Sequence, residues 1–122
     1  MKLLFIICVT PLSSEYSYLI PHLAWLAKKK GHDVTIYYYG EGSYSSLKDQ
    51  KPERLPSVSK LIDNIISAGI KVRVGGLCAK ARGIAYEFIS EKIQLDKSVP
   101  PAGYLTPLYE EIKSADRVIF VG

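Results

Sequence analysis

Residues 1–39 read MKLLFIICVTPLSSEYSYLIPHLAWLAKKKGHDVTIYYY, and their pattern decides the fold. Leu3 to Val9 is an unbroken apolar run, which predicts a central strand over Met1–Val9. Thr10-Pro11-Leu12-Ser13-Ser14 reads as a loop, with Ser13 or Ser14 as candidate helix caps. Tyr16, Leu19, Ile20, Leu23, Ala24 and Ala27 then recur at helical spacing, and Gly31 suits the position just past the helix end. Pro21 interrupts that pattern and predicts either a kink or a later helix start. Asp33 to Tyr39 is a second strand, rich in β-branched and aromatic residues. Strand, helix and strand in this order make a βαβ unit with parallel strands.

The rest of the chain continues the alternation. Gly40-Glu41-Gly42 breaks the second strand, and residues 43–56 read as a polar loop with one short helical turn. Val58, Leu61, Ile62 and Ile65 mark a helix capped by Ser57 and stopped by Gly69. Ile70, Val72 and Val74 alternate with Lys71 and Arg73, as in a half-covered strand. Gly75-Gly76-Leu77 is a turn, and Cys78 to about Ile89 reads as a helix broken or bent near Gly83. Lys92 to Leu95 is a weak fourth strand, and Pro100-Pro101 is a loop. Thr106-Pro107 opens a helix whose apolar stripe is Leu105, Leu108, Tyr109 and Ile112, and Arg117 to Val121 is the last strand. The expected fold is α/β: a single domain over 1–122, with a flavodoxin-like parallel sheet of four to five strands and helices on both faces.

Composition narrows the function. At 122 residues, 48 % hydrophobic and 23 % charged, the chain is a globular domain and not a disordered or disulfide-stapled one. Lys2 followed by the first apolar run mimics a secretion leader, but the run is short and no small-residue cleavage site follows. No membrane partner and a cytoplasmic location are expected. The net charge is +4, and the one compact basic run, Lys28-Lys29-Lys30, falls at a helix end, where the dipole favours cations. No direct nucleic-acid partner is expected. Nine tyrosines in so small a domain point to a subunit interface.

Ligands of open parallel sheets bind beyond the carboxyl ends of the strands. With the first and third strands adjacent, the loops at 10–14, 40–44 and 75–78 would meet at one edge. That edge would gather Ser13, Ser14, Glu15, Glu41, Tyr44 and Cys78, of which Cys78 is the strong nucleophile. It follows a Gly-Gly turn at an expected helix start, with Lys80 and Arg82 within one turn, a setting that favours the thiolate. The residues alone equally allow a small buried core thiol. Cys8 lies inside the first apolar run and is expected to be buried, so no structural disulfide is expected and a reducing compartment fits. His22 and His32 form no metal spacing with a cysteine, and no Walker, HExxH or Ser-His-Asp pattern is present. Gly40-Glu41-Gly42 lacks the third glycine of a dinucleotide fingerprint, and the Ser/Thr loop lacks a glycine to approach a phosphate. Neither a metal nor a cofactor is expected.

Four stretches together resemble the DsrE/DsrF-like family of sulfur-relay proteins, which includes the TusD subunit. They are LLFIICVTPLSSEYSY, KKKGHDVTIYYYGEG, GIKVRVGGLCAKARGI and ADRVIFVG, and they span nearly the whole chain. The third is the most specific, because the family's reactive cysteine, followed by Ala-Arg-Gly, falls on Cys78 with Ala81, Arg82 and Gly83 behind it. The resemblance implies a sulfurtransferase-like carrier that holds sulfane sulfur on Cys78 and passes it to a partner, a TusA-like carrier, in tRNA thiolation or sulfur oxidation. It also implies a homo-trimer or hexamer, with or without related subunits, and no cofactor. Lys80 and Arg82 would attract an anionic donor. Some relatives carry a second cysteine where this chain has Gly75 and Gly76, which disfavours a dithiol reductase. The alternatives are a non-catalytic subunit of a relay complex, or a small-ligand or nucleotide-binding module using residues 10–14 and 40–44.

Overall fold

The computed structural model describes residues 1–47, 50–83, 93–96 and 106–122. Within them, β1 (Lys2–Ile7), β2 (Asp33–Tyr38), β3 (Lys71–Gly75), β4 (Gln94–Asp96) and β5 (Arg117–Val121) form one sheet in the order β4-β3-β2-β1-β5. All four pairings are parallel. The helices are α1 (Tyr16–Lys29), α2 (Val58–Ser67), the short α3 (Gly76–Ala81) and α4 (Thr106–Ser114). This is the flavodoxin-like α/β arrangement that the alternating pattern predicts. The strand order differs from the expected adjacency in one respect: β2 lies between β1 and β3. Because every strand is parallel, the loops after β1, β2 and β3 still leave the sheet at one edge.

Side-chain alternation divides the sheet. Leu3, Phe5, Ile7, Val34, Ile36 and Tyr38 pack with Ile20 and Ala24 of α1 and with Leu61, Ile62 and Ile65 of α2 in the larger core. Leu4, Ile6 and Tyr37 pack on the opposite face with Leu108 of α4. The chain runs outward from β1 to β4 and then returns across the sheet to place β5 on the other side of β1. The reversal in strand order therefore lies between β1 and β5.

Three expectations need correction. Helix α1 starts at Tyr16 and carries Pro21 within it, fully buried, so the N–H that would reach the Ser17 carbonyl is missing. Its inward face is Ser17, Ile20, Pro21 and Ala24, whereas Tyr16, Leu19 and Leu23 are exposed. Apolar residues lie on more than one side of this helix, and the small side chains go to the tight contact with the sheet. The short helical turn expected within 43–56 lies further back, as a 3-10 helix over Gly40–Ser46, and it is not a solvated loop: Ser43, Ser45 and Ser46 are wholly buried. Ser43 and Ser46 donate to the carbonyls three residues back, at 2.8 and 2.6 Å, which supplies partners for their hydroxyls inside the fold. The expected helix begins at Gly76 and not at Cys78, so Gly76 and Leu77 are helical and not a turn. It stops at Ala81, with Gly83 at φ +70° where the break was expected; its continuation to Ile89, the start of the fourth strand at Lys92, the 100–101 loop and Leu105 lie outside the described residues.

Candidate functional site

At the carboxyl edge, β3 passes directly into α3. Gly75 is the N-cap residue in extended conformation, and Cys78 is the third residue of the helix. The α3 backbone folds the Cys78 side chain back over β3: its Sγ lies 3.0 Å from the point that a Cβ on Gly75 would occupy. Cε1 of Tyr37 is 3.9 Å from the same point. Glycine at 75 therefore makes room for the thiol. Cys78 is half-buried, not sealed in the core, and it is a free thiol.

Arg82 caps the C-terminal end of α3. Its Nη1 donates to the Cys78 carbonyl at 3.1 Å, and its Nη2 lies 3.9 Å from where a Cβ on Gly40 would be. The guanidinium thus spans from α3 to the start of the 3-10 helix and fixes the backbone that carries the thiol. Lys80 is exposed on α3, and Glu41 is exposed on the 3-10 helix.

The loop after β1 closes on itself. Ser13 Oγ donates to the Thr10 carbonyl at 2.9 Å and accepts from the Thr10 N–H at 3.2 Å and from the Thr10 hydroxyl. Ser14 Oγ accepts from the Tyr16 N–H at 3.2 Å, but the N-cap residue of α1 is Glu15, which makes no side-chain cap bond, so neither expected serine caps the helix. Both serines are thus engaged in shaping the loop. Tyr44 lines a cleft of about 270 Å³ with Pro11, Leu12, Leu47, Pro52 and Val58. The structure brings the loops after β1 and β2 together there, and Cys78 is not among the residues of that cleft.

Two features of this edge were missed from the sequence. The first is Cys8. Strand β1 ends at Ile7, so Cys8 sits just past the strand at the same edge as Cys78, half-buried and not inside the core as expected. It packs against the cluster of Leu4, Ile6, Tyr37 and Leu108, and its N–H donates to the Val121 carbonyl at 2.8 Å. Burial, and after it the charge of Cys78, pushes the Cys8 thiol up from its ordinary value. The second is Gly42. A Cβ there would lie 1.9 Å from the Ile7 carbonyl oxygen, so the 3-10 helix rests directly on the end of β1. The Gly-Glu-Gly signal that marked a turn was also the signal for this close approach.

Deeper on the same face, Glu111 of α4 is buried and accepts from Lys71 Nζ at 2.5 Å and Arg73 Nη1 at 2.7 Å. Burial raises its carboxyl, but the hydrogen bonds and charges of Lys71 and Arg73 more than offset this and hold it below the usual carboxylate range. Arg73 also lies over the Tyr37 ring, 5.9 Å from its centroid. Among the described residues, no cluster of His, Cys, Asp and Glu could hold a metal, and no helix is long and apolar enough to cross a membrane.

A family model described as the DsrE/DsrF-like family matches residues 1–121. The chain is 35 % identical over 95 residues to the uncharacterized protein MJ0989 of Methanocaldococcus jannaschii, covering 78 % of this chain and 83 % of that one. It is 29 % identical over 115 residues to the uncharacterized protein MK0008 of Methanopyrus kandleri, covering 94 % and 89 % of the two chains. Among solved structures, the ychN protein from E. coli superposes with a TM-score of 0.85 at 19 % identity, covering 98 % of both chains. MTH1491 from Methanobacterium thermoautotrophicum gives 0.70 at 14 % identity, covering 98 % of this chain and 97 % of that one.

Proposed function

Because the chain belongs to the DsrE/DsrF-like family, we propose that it is a sulfur-relay protein that carries sulfane sulfur on Cys78 and hands it to a partner carrier of the TusA type. The family suggests a sulfur-relay type of role. The observation that carries it is the seat of Cys78: a free, half-buried thiol, held over Gly75 at the edge of the sheet where ligands of this architecture bind.

The chemistry follows from that seat. The Cys78 thiolate attacks the outer sulfur of a persulfide donor or of thiosulfate, and the donor's thiolate, or sulfite in the case of thiosulfate, leaves with the electron pair. The N–H groups of the first α3 turn have no acceptor within the helix and can face the anion. Lys80, exposed on α3, adds positive charge for an anionic donor. Arg82 holds the Cys78 backbone in place through its carbonyl. No cofactor enters this step.

The reading includes assembly into a homo-trimer or hexamer. It is supported by exposed apolar residues on two opposite sides of the molecule: Tyr16, Leu19, Leu23 and Leu26 on α1, and Val118 and Phe120 on β5.

The test is to incubate the protein with thiosulfate, tetrathionate or polysulfide and weigh it intact, with Cys78→Ser alongside. A sulfur adduct that reductant removes and Cys78→Ser lacks is the expected result. An alkylatable Cys78 that takes sulfur from none of these donors would favour a non-catalytic subunit. Preferential alkylation of Cys8 in the native protein would sink the carrier reading.

A further inference from the structure

The second cysteine has no part in the function proposed above, yet the fold brings it to the same edge and the same face. The register pairs Ile7 with Tyr38 and Tyr38 with Val74, so the next row outward is Cys8, Tyr39 and Gly75. Side chains of that row point to the α4 face, as those of Ile6, Tyr37 and Arg73 do two residues earlier. Cys8 enters from the β1 side and packs against the cluster that contains Tyr37, with Tyr39 beside it. The Cys78 sulfur enters from the β3 side, over Gly75, whose missing side chain would begin 3.0 Å from that sulfur and 3.9 Å from the Tyr37 ring. Cys8 also sits at the reversal in strand order, hydrogen-bonded to Val121 of β5, which is where open α/β sheets form their ligand crevice.

We propose that Cys8 is a second sulfur acceptor within the site and takes the outer sulfur from a Cys78 persulfide. The inference rests on the carrier reading of Cys78. In this step the Cys8 sulfur attacks the outer sulfur of the persulfide. A new S–S bond forms on Cys8, the old one breaks, and its electron pair returns to Cys78 Sγ. The Cys8 proton passes to Cys78, so a persulfide and a thiol become a thiol and a persulfide. Nothing is oxidised or reduced overall, and no co-reactant is needed.

Geometry favours this transfer over a direct disulfide. The Cys8 and Gly75 positions are separated by β2, two strand spacings or about 9.6 Å. A disulfide brings the two Sγ atoms to one S–S length, about 2 Å. In-line transfer of the outer sulfur needs only about two such lengths, about 4 Å, because the travelling atom lies between them. The environment of Cys8 agrees with a secondary role: burial and the charge of Cys78 disfavour its thiolate, so it would not compete with Cys78 for the external donor.

The experiment loads the native protein with polysulfide, removes the donor, traps with iodoacetamide over a time course, and maps the added sulfur by peptide mass. Sulfur on Cys78 first and on Cys8 later, with complete loss of the Cys8 signal in Cys78→Ser, is the expected result. In Cys8→Ala, sulfur should remain on Cys78. The peptide map of the unmutated protein serves if either variant fails to fold. A loaded Cys78 with no sulfur ever on Cys8 overturns this inference and leaves the carrier reading standing. Equal loading of Cys8 in Cys78→Ser overturns it as well, since Cys8 would then react directly. No sulfur on either cysteine overturns both.

Discussion

Gly75 and Cys78 share one space: the Cys78 sulfur lies 3.0 Å from the place a Gly75 side chain would begin. Gly75 has φ −66° and ψ 113°, a backbone open to any residue, so the glycine is required by the thiol and not by the turn. Gly75→Ala therefore tests the seat of the sulfur with little backbone effect. The added methyl crowds Sγ, and the smaller unfolded-state entropy of alanine offsets part of the strain. The expected outcome is a near-normal melting temperature with slower alkylation of Cys78 by a thiol reagent. An unchanged alkylation rate would show that the sulfur does not rest there.

Gly42 makes the opposite case. A Cβ at this position would lie 1.9 Å from the Ile7 carbonyl oxygen and 2.8 Å from its carbon. Both atoms are backbone, so neither can rotate away, and the 3-10 helix must lift from β1. Gly42→Ala should cost about 2 kcal/mol or more, at the upper end of overpacking. Thermal and urea unfolding measure it. The lift also opens the edge beside Cys8, so alkylation of Cys8 should quicken in the same variant.

Arg82 tests whether the guanidinium acts on the backbone or on the sulfur. Its Nη1 donates to the Cys78 carbonyl, and its Nη2 lies over Gly40. Arg82→Ala should loosen α3 against the 3-10 helix, at about 1–2 kcal/mol for a charged hydrogen bond. Arg82→Lys keeps the charge but not the fork that spans both places. If both variants lose stability alike and keep the pH profile of Cys78 alkylation, the arginine works by holding the backbone. A profile moved to higher pH in Arg82→Ala and restored in Arg82→Lys would assign it to the charge of the thiolate.

Much of this was legible in the sequence because the signals were local. The run from Leu3 to Val9, the helical spacing after Tyr16 and the Gly-Gly before Cys78 each report on neighbours along the chain. What escaped depends on distant partners. Nothing near Tyr16, Leu19 and Leu23 says that α1 turns them outward, since Ile20 and Ala24 beside them are equally apolar. The buried serines at 43 and 46 resemble any polar loop until their hydroxyls are seen to bond within a 3-10 turn. Cys8 read as core because its run was apolar, but the strand stops one residue earlier and leaves it at the edge. Glu111 meets partners 38 and 40 residues away, beyond any local pattern.

That same carboxylate gives the fold a definite response to acid. Glu111 is buried against Arg73 and Lys71, whose side chains are 17 % and 41 % exposed. Its folded-state carboxyl lies below the ordinary range, so the ion pairs add stability above the unfolded value of about 4.3. That contribution is lost as pH falls through the folded value, when the carboxyl takes up a proton. Glu111→Gln removes the charge at every pH and leaves Arg73 without this carboxylate, while Lys71 regains water. The expected loss near neutrality is about 2–3 kcal/mol, below the figure for a fully buried pair because Lys71 is part-exposed. Urea unfolding from pH 7 downward should show the two proteins converging as pH falls below the unfolded value of about 4.3 and through the lower folded value. Parallel curves over that range would mean that the Glu111 ion pairs contribute nothing to the acid sensitivity of the fold.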